Sequence, residues 1–304
     1  MPVKKDETGK RWVEMEFITP GTPEQVWRAM ATGPGNTAWF TKTKIDEHVG
    51  GRLHFDFGPN GASTGEVTIW EPPYRFGYVE REWSEGAPPV ATEITVTSRS
   101  GDRCVVRMVH SLFASTDDWD DQLEGFESGW PGFFEVLRVY LSNFAGEKAA
   151  SFSVMASTQA DQFSTWRRPT ETIGLAGASV GEERNGPQQP ERLSGIVERV
   201  RQDDKQRFIV LRLNLPAPGI ALIGTYGTEG GANASMALYL YGDDAEQRAA
   251  EGETKWRNWF GETFKRPRWR MLPDQPARRS ASSGLLILVS YGYTYHSTYI
   301  HRRV

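Results

Sequence analysis

The stretch TDDWDDQLEGFESGWPGFFEVLRVYLSNFAG, residues 116–146, constrains the chain more than any other. Phe126, Trp130, Phe133, Leu137, Tyr140, Leu141 and Phe144 recur at three- and four-residue steps, the spacing of one helical face. That spacing predicts a long helix, kinked or restarted at Pro131, whose ring removes a backbone donor. The run Asp117, Asp118, Asp120, Asp121 suits the start of such a helix, where the macrodipole favours negative charge. An amphipathic helix of this length must lay its apolar face on something.

What it lies on is written in the preceding residues, which have a period of two. Residues 12–18 (WVEMEFI) alternate like a strand, and TPGTPEQVWRAMAT follows, with Thr22 placed to cap a helix and Pro23 at its first position. GPGNTAWFT, residues 33–41, predicts a short helix or turn ending in an aromatic pair. Strands are then expected near 43–49, 52–57, 64–70, 75–83, 91–98 and 103–113, separated by Gly- and Pro-rich turns. The order strand, short helix, antiparallel meander, long helix gives an α+β domain over residues 1–147.

The remainder reads as a shortened copy, over residues 150–266. ADQFSTW (160–166) parallels PEQVWRAM (23–30), and LSGIVERVRQDDKQRFIVLRL (193–213) parallels STGEVTIWEPPYRFGYVEREW (63–83). ASMALYLYG (234–242) parallels CVVRMVHSLF (104–113), and AEGETKWRNWFGETF (250–264) parallels EGFESGWPGFFEVL (124–137). Gly65 with Gly195, and Trp130 with Trp256, lie 126 to 130 residues apart. The copy has less room before Gly195, so the equivalent of the 43–57 hairpin is expected to be missing. Residues 267–304, basic and turn-rich and then apolar, have no counterpart, and the pattern assigns them no structure.

Charge and cysteine usage exclude several classes of function. With 35 basic and 39 acidic residues the net charge is −4, so nothing marks a nucleic-acid or anionic-membrane partner. Cys104 is the only cysteine, which rules out an internal disulfide or a thiolate zinc site and agrees with a reducing cytoplasm. The charged start MPVKKDETGK lacks a signal-peptide apolar region, and the apolar run 285–289 is too short to span a bilayer. The expectation is a cytoplasmic protein.

The motifs PEQVWRAMATGPGNTAWFT, HVGGRLHF, TGEVTIWEPPYRFGYVEREW, VVRMVHSLF and EGFESGWPGFFEVLRVYL, in this order, carry a resemblance. Over residues 12–146 the chain resembles the START-like (SRPBCC) superfamily, and within it the bacterial proteins named after the activator of Hsp90 ATPase. Residues 150–266 resemble the diverged second half of two-domain members. The resemblance implies a helix-grip (Bet v 1-like) fold, in which an antiparallel sheet curls around the long C-terminal helix and encloses a mainly apolar cavity. The superfamily includes lipid carriers, plant hormone-binding proteins and polyketide aromatase/cyclases, so fold does not by itself assign function.

The residues themselves offer one polar candidate. In VVRMVHSLF, Val106, Met108, His110 and Leu112 share a strand face, and a histidine on an apolar face must be hydrogen-bonded or bear a desolvation cost. It would orient a ligand carbonyl or hydroxyl, act as an acid/base, or be satisfied within the core. Leu53, Phe55 and Phe57 alternate with Arg52, His54 and Asp56; the first set should face inward, with His54 outside. Trp39, Phe40, Trp83 and Trp130 would serve equally to line a cavity or to pack helix on sheet. The ligand-binding set expected is therefore Trp39, Phe55, Phe57, Trp83, Met108, His110 and Trp130. No histidine or carboxylate spacing suggests a metal site, no phosphate loop or nucleophile elbow is present, and no cofactor or catalytic residue is expected. The function this favours is binding of a hydrophobic or aromatic small molecule in the first domain. Two alternatives stand beside it: an aromatase/cyclase- or hydrolase-type enzyme using His110, and a co-chaperone-like protein acting on an Hsp90-type ATPase. The second copy carries no inward polar residue on ASMALYLYG and is expected to be structural, a partner surface or a lid.

Overall fold

The computed structural model describes residues 3–264, apart from 59, 60, 85, 204, 205 and 229. The tail 267–304 lies outside the described residues. Fourteen strands form two antiparallel sheets among these residues. The first sheet is built from β1 (Lys4–Lys5), β2 (Lys10–Pro20), β3 (Lys42–Ile45), β4 (Arg52–Asp56), β5 (Ala62–Glu71), β6 (Arg75–Glu80), β7 (Val90–Arg99) and β8 (Arg103–Phe113). Its spatial order is β1-β2-β8-β7-β6-β5-β4-β3. Between β2 and β3 lie α1 (Pro23–Ala31) and α2 (Gly33–Thr37), and after β8 comes α3 (Asp120–Asn143). The start of α1 is fixed by a capping box: Thr22 accepts from the Gln25 backbone, and the Gln25 side chain accepts from Thr22 N–H at 2.9 Å. The chain is thus α+β with the helix-grip arrangement expected.

The helix α3 runs unbroken through Pro131, where the sequence suggested a kink or a restart. Packing on both sides supplies the reason. Val136, Leu137, Val139, Tyr140 and Leu141 are all buried, which leaves Glu135 and Arg138 as a narrow polar edge. A helix apolar over most of its circumference is one enclosed by other elements, and that stabilises it against the missing proline donor.

The enclosing element is the second sheet, formed by β9 (Ala149–Thr158), β10 (Glu183–Asn185), β11 (Ser194–Gln202), β12 (Gln206–Leu215), β13 (Gly219–Thr228) and β14 (Gly231–Tyr241). Its order is β10-β11-β12-β13-β14-β9, with α4 (Gln162–Thr172) following β9 and α5 (Ala245–Thr263) following β14. Element for element this repeats the first sheet, with the three-residue β10 where β3 and β4 stand. Local geometry repeats too. The β5–β6 register is broken by a bulge between Val67 and Ile69, and the β11–β12 register by one between Val197 and Arg199. Just before each bulge is a glycine that only a missing Cβ allows. At Gly65 a Cβ would lie 2.9 Å from the Val79 carbonyl oxygen, and at Gly195 only 2.1 Å from that of Arg212.

The second sheet is covered on both faces. Ile209, Leu211, Ile223, Met236 and Leu238 pack with Trp256 and Phe260 of α5, while Phe208, Val210, Ile220, Leu222, Ala237, Tyr239 and Tyr241 belong to the same core as the first sheet and α3. Helix α3 therefore lies between two sheets. Gly132 permits the close approach: a Cβ there would meet Leu222 Cδ1 at 3.2 Å. At the edge of this seam, Arg138 of α3 pairs with Glu135 at 2.9 Å and Glu198 of β11 at 3.4 Å, and Arg212 of β12 also pairs with Glu198 at 2.9 Å.

Candidate functional site

The face of the first sheet turned toward α3 is set by strand alternation. Phe76, Tyr78 and Glu80 of β6, Val90, Thr92 and Ile94 of β7, and Met108, His110 and Leu112 of β8 all point inward and are buried. The antiparallel register sets Tyr78 opposite Thr92, Thr92 opposite His110, and His110 opposite Val13. One row across four strands thus carries three polar side chains inside an apolar wall.

These groups are connected. The Trp130 indole N–H donates to His110 Nε2 at 2.9 Å, and His110 Nδ1 lies 2.9 Å from Thr92 Oγ1. Since Nε2 accepts, the ring proton of neutral His110 sits on Nδ1 and is donated to Thr92. Tyr78 stands directly opposite Thr92 in the register of β6 and β7. The hydrogen-bonded chain runs Trp130 to His110 to Thr92, and the buried Tyr78 side chain extends the row on the next strand. Burial pulls His110 down to about 3 and pushes Tyr78 up, the latter reinforced by the nearby Glu80. At neutral pH His110 is uncharged with both nitrogens engaged. This argues against His110 as the acid/base and for a role in orienting its neighbours.

Next to Tyr78 on the same strand face is Glu80, 1% exposed. Its partner among the described residues is Ser63 of β5, whose hydroxyl makes a short hydrogen bond to Oε1. Gly65 leaves the space its side chain crosses, since a Cβ there would lie 3.3 Å from Glu80 Cγ. Burial pushes the carboxyl up to about 7, against the smaller opposing effect of Ser63. Sequence reasoning passed over Glu80, Ser63, Thr92 and Tyr78. The signal was present: in RFGYVE, Glu80 is in phase with Phe76 and Tyr78, and a carboxylate on an apolar strand face is as notable as a histidine.

Of the seven residues expected to bind ligand, the six apolar ones are buried in one core, and His110 is buried against it through Trp130 and Phe126. Trp130 stacks on His110 with an interplanar angle of 11°, and Trp39 lies 6.2 Å from Trp130 between ring centres. Phe55 and Phe57 flank Phe40 edge-on at 5.6 and 5.9 Å, and Phe40 reaches Trp130 at 5.0 Å. Met108 is inward beside His110 on β8. Trp83 stands apart, beside Trp119 and Phe126, with its indole N–H held by the Pro88 carbonyl at 2.7 Å. Trp39 likewise donates to the Ala29 carbonyl at 2.9 Å. Of the three indole N–H groups, only that of Trp130 joins the polar row. Asp120, from the acidic run, pairs with the buried Arg11 and anchors the first turn of α3 on β2. In the second unit Trp256 takes the place of Trp130, but its indole donates to Glu191 Oε2 at 3.2 Å, and β14 supplies no counterpart of His110. Among the described residues no cluster of histidine, cysteine and carboxylate side chains is arranged to hold a metal.

No helix among the described residues is long and apolar enough to cross a membrane. Comparison with known proteins gives a family and several similar structures. Residues 20–142 match the family of Activator of Hsp90 ATPase homolog 1-like proteins. No curated protein matches the chain. Among solved structures, MLL2253 from Mesorhizobium loti is 26% identical over 44% of this chain and 98% of its own, with a TM-score of 0.40. DynU16, a protein of the dynemicin biosynthetic locus, is 17% identical over 82% of this chain and 95% of its own, with a TM-score of 0.39. Aha1 of Colwellia psychrerythraea, solved as a dimer, is 20% identical over 44% and 98%, with a TM-score of 0.37. The capped α1, the meander and the gripped α3 all lie within the stretch that matches, so residues 20–142 form an activator of Hsp90 ATPase homolog 1-like domain.

Proposed function

We propose that the first unit binds a small, mainly apolar molecule carrying a carbonyl or hydroxyl group, held between the inner face of its sheet and α3. The observation that supports this reading is the buried polar row inside an aromatic wall, with the Tyr78 side chain at its end and the Glu80–Ser63 pair beside it. Buried polar groups lower stability unless paired, and ionisable groups displaced this far cluster at functional sites. On this reading Trp39, Phe55, Phe57, Met108 and Trp130 supply apolar contact, His110 orients the row, and Trp83 supports the far end of α3. Residues 1–147 and 150–266 are the two copies of one ancestral unit, and the second has kept the scaffold without the polar row.

The test is native mass spectrometry and thermal shift across a panel of lipids and aromatic metabolites bearing carbonyl or hydroxyl groups. Tyr78→Phe and Glu80→Gln should each weaken binding of any hit about tenfold, the cost of one hydrogen bond to a buried polar group. A panel without a single hit, or hits insensitive to both substitutions, overturns the reading.

A second reading, catalysis, is favoured by one observation. A carboxyl near 7 is matched to general acid/base work at physiological pH, which His110 is not. It requires turnover of a bound compound that Glu80→Gln abolishes while binding survives. The chaperone partner rests on the family description alone.

A further inference from the structure

The second unit holds the wall of this site in place. After α2 the chain turns through Ala38, Trp39 and Phe40, and carbonyls past a helix end have no partner within the helix. Two tyrosines of β14, about 200 residues away, supply donors: Tyr239 Oη to the Phe40 carbonyl at 2.9 Å and Tyr241 Oη to the Ala38 carbonyl at 2.7 Å. Both tyrosines are buried. Tyr241 is itself fixed, stacked on Phe144 at 4.3 Å and on Tyr140 at 5.7 Å.

On the outer side of this segment is a cleft of about 170 Å³ between the two units. Phe40, Phe57, Ser153, Ala237 and Tyr239 line it, with Glu253 of α5 on its wall. On its inner side Phe40 touches Trp130, the first donor of the polar row. Phe40 is therefore the partition between the cleft and the interior.

We infer that the cleft between the units is the entrance to the interior site, that Phe40 is its gate, and that Tyr239 and Tyr241 are positioning residues that hold the gate shut. This deepens the binding proposal and rests on it for the identity of what enters, but the gate can be tested without any ligand. Hydrogen exchange reads it directly. Tyr239→Phe and Tyr241→Phe each remove one hydrogen bond and keep the ring. Either should raise exchange at the amides of residues 38–41 and at the Trp130 indole N–H about tenfold, with amides of α5 unchanged. Ser153→Trp, which fills the cleft from the β9 side, should slow exchange of the Trp130 indole N–H.

Unchanged exchange in the tyrosine variants overturns the gate, as does a rise of equal size in α5, which would mark general loosening. Faster or unaltered indole exchange in Ser153→Trp overturns the cleft as the route. None of these outcomes depends on whether the interior binds a carbonyl compound, so failure of the binding proposal is separately visible.

Discussion

Glu80 and His110 sit on strands separated by β7, and burial acts on them in opposite directions. His110 is held down to about 3 and Glu80 up to about 7. For the histidine, folding favours the neutral ring, so its contribution is complete above the unfolded value near 6.5 and is lost as pH falls toward 3, about 5 kcal/mol in all. For the glutamate, folding favours the protonated carboxyl. Its contribution is complete below the unfolded value near 4.3 and is lost as pH rises through 7, about 4 kcal/mol. Between about 4.5 and 6.5 the two slopes cancel; outside that window stability falls on either side. In Glu80→Gln the loss on the alkaline side should vanish, so that stability climbs from pH 4.5 to 6.5 and holds above it. Chemical denaturation at intervals from pH 4 to 8 measures this, and the difference between the two curves isolates Glu80. Parallel curves would mean that the carboxyl is ionised in the folded protein.

At the level of elements, the strands, α1 and the fold of the first unit could be read from periodicity, because each buries one face and the pattern states which. The parity that puts His54 outside and Leu53, Phe55 and Phe57 inside holds in β4. Helix α3 shows why the rest was harder. A period of three and four predicted one buried face, yet FFEVLRVYL keeps only Glu135 and Arg138 as a narrow polar edge, and that was the sign of a second layer on the helix. The two sheets differ in the same way. β7 alternates between buried and exposed residues along most of its length, whereas β13 is buried at eight consecutive positions. Glu80 escaped for a different reason: its environment depends on Gly65 of a neighbouring strand, and register between strands is not local information. Because Gly132 sets the distance from α3 to β13, Gly132→Leu should overpack the seam and destabilise the protein by about 1–3 kcal/mol. Equilibrium unfolding measures this, and a neutral outcome would mean that Leu222 can yield.

For the molecule as a whole, the two sheets share a core, so the line between the units does not mark two independent cooperative blocks. Phe208, Leu222, Tyr239 and Tyr241 lie in the same cluster as Trp130 and Phe133. Calorimetry should therefore show one transition, with calorimetric and van't Hoff enthalpies in agreement. Two resolved transitions would show that the seam is weaker than its burial suggests. A chain ending at residue 147 should lose native packing, since it would expose Val136 and Tyr140 and strip the Ala38 and Phe40 carbonyls of their tyrosine donors.

A repeat whose copies fold separately can be shuffled, lost or grafted one unit at a time. The double burial of β13 and β14 removes that freedom. A free-standing helix-grip unit leaves the outer side of its helix to water, while this one requires an apolar sheet there, and the sheet in turn requires the helix. The two halves are bound to each other: neither could stand alone without its seam being recoloured from apolar to polar, residue by residue on both sides at once.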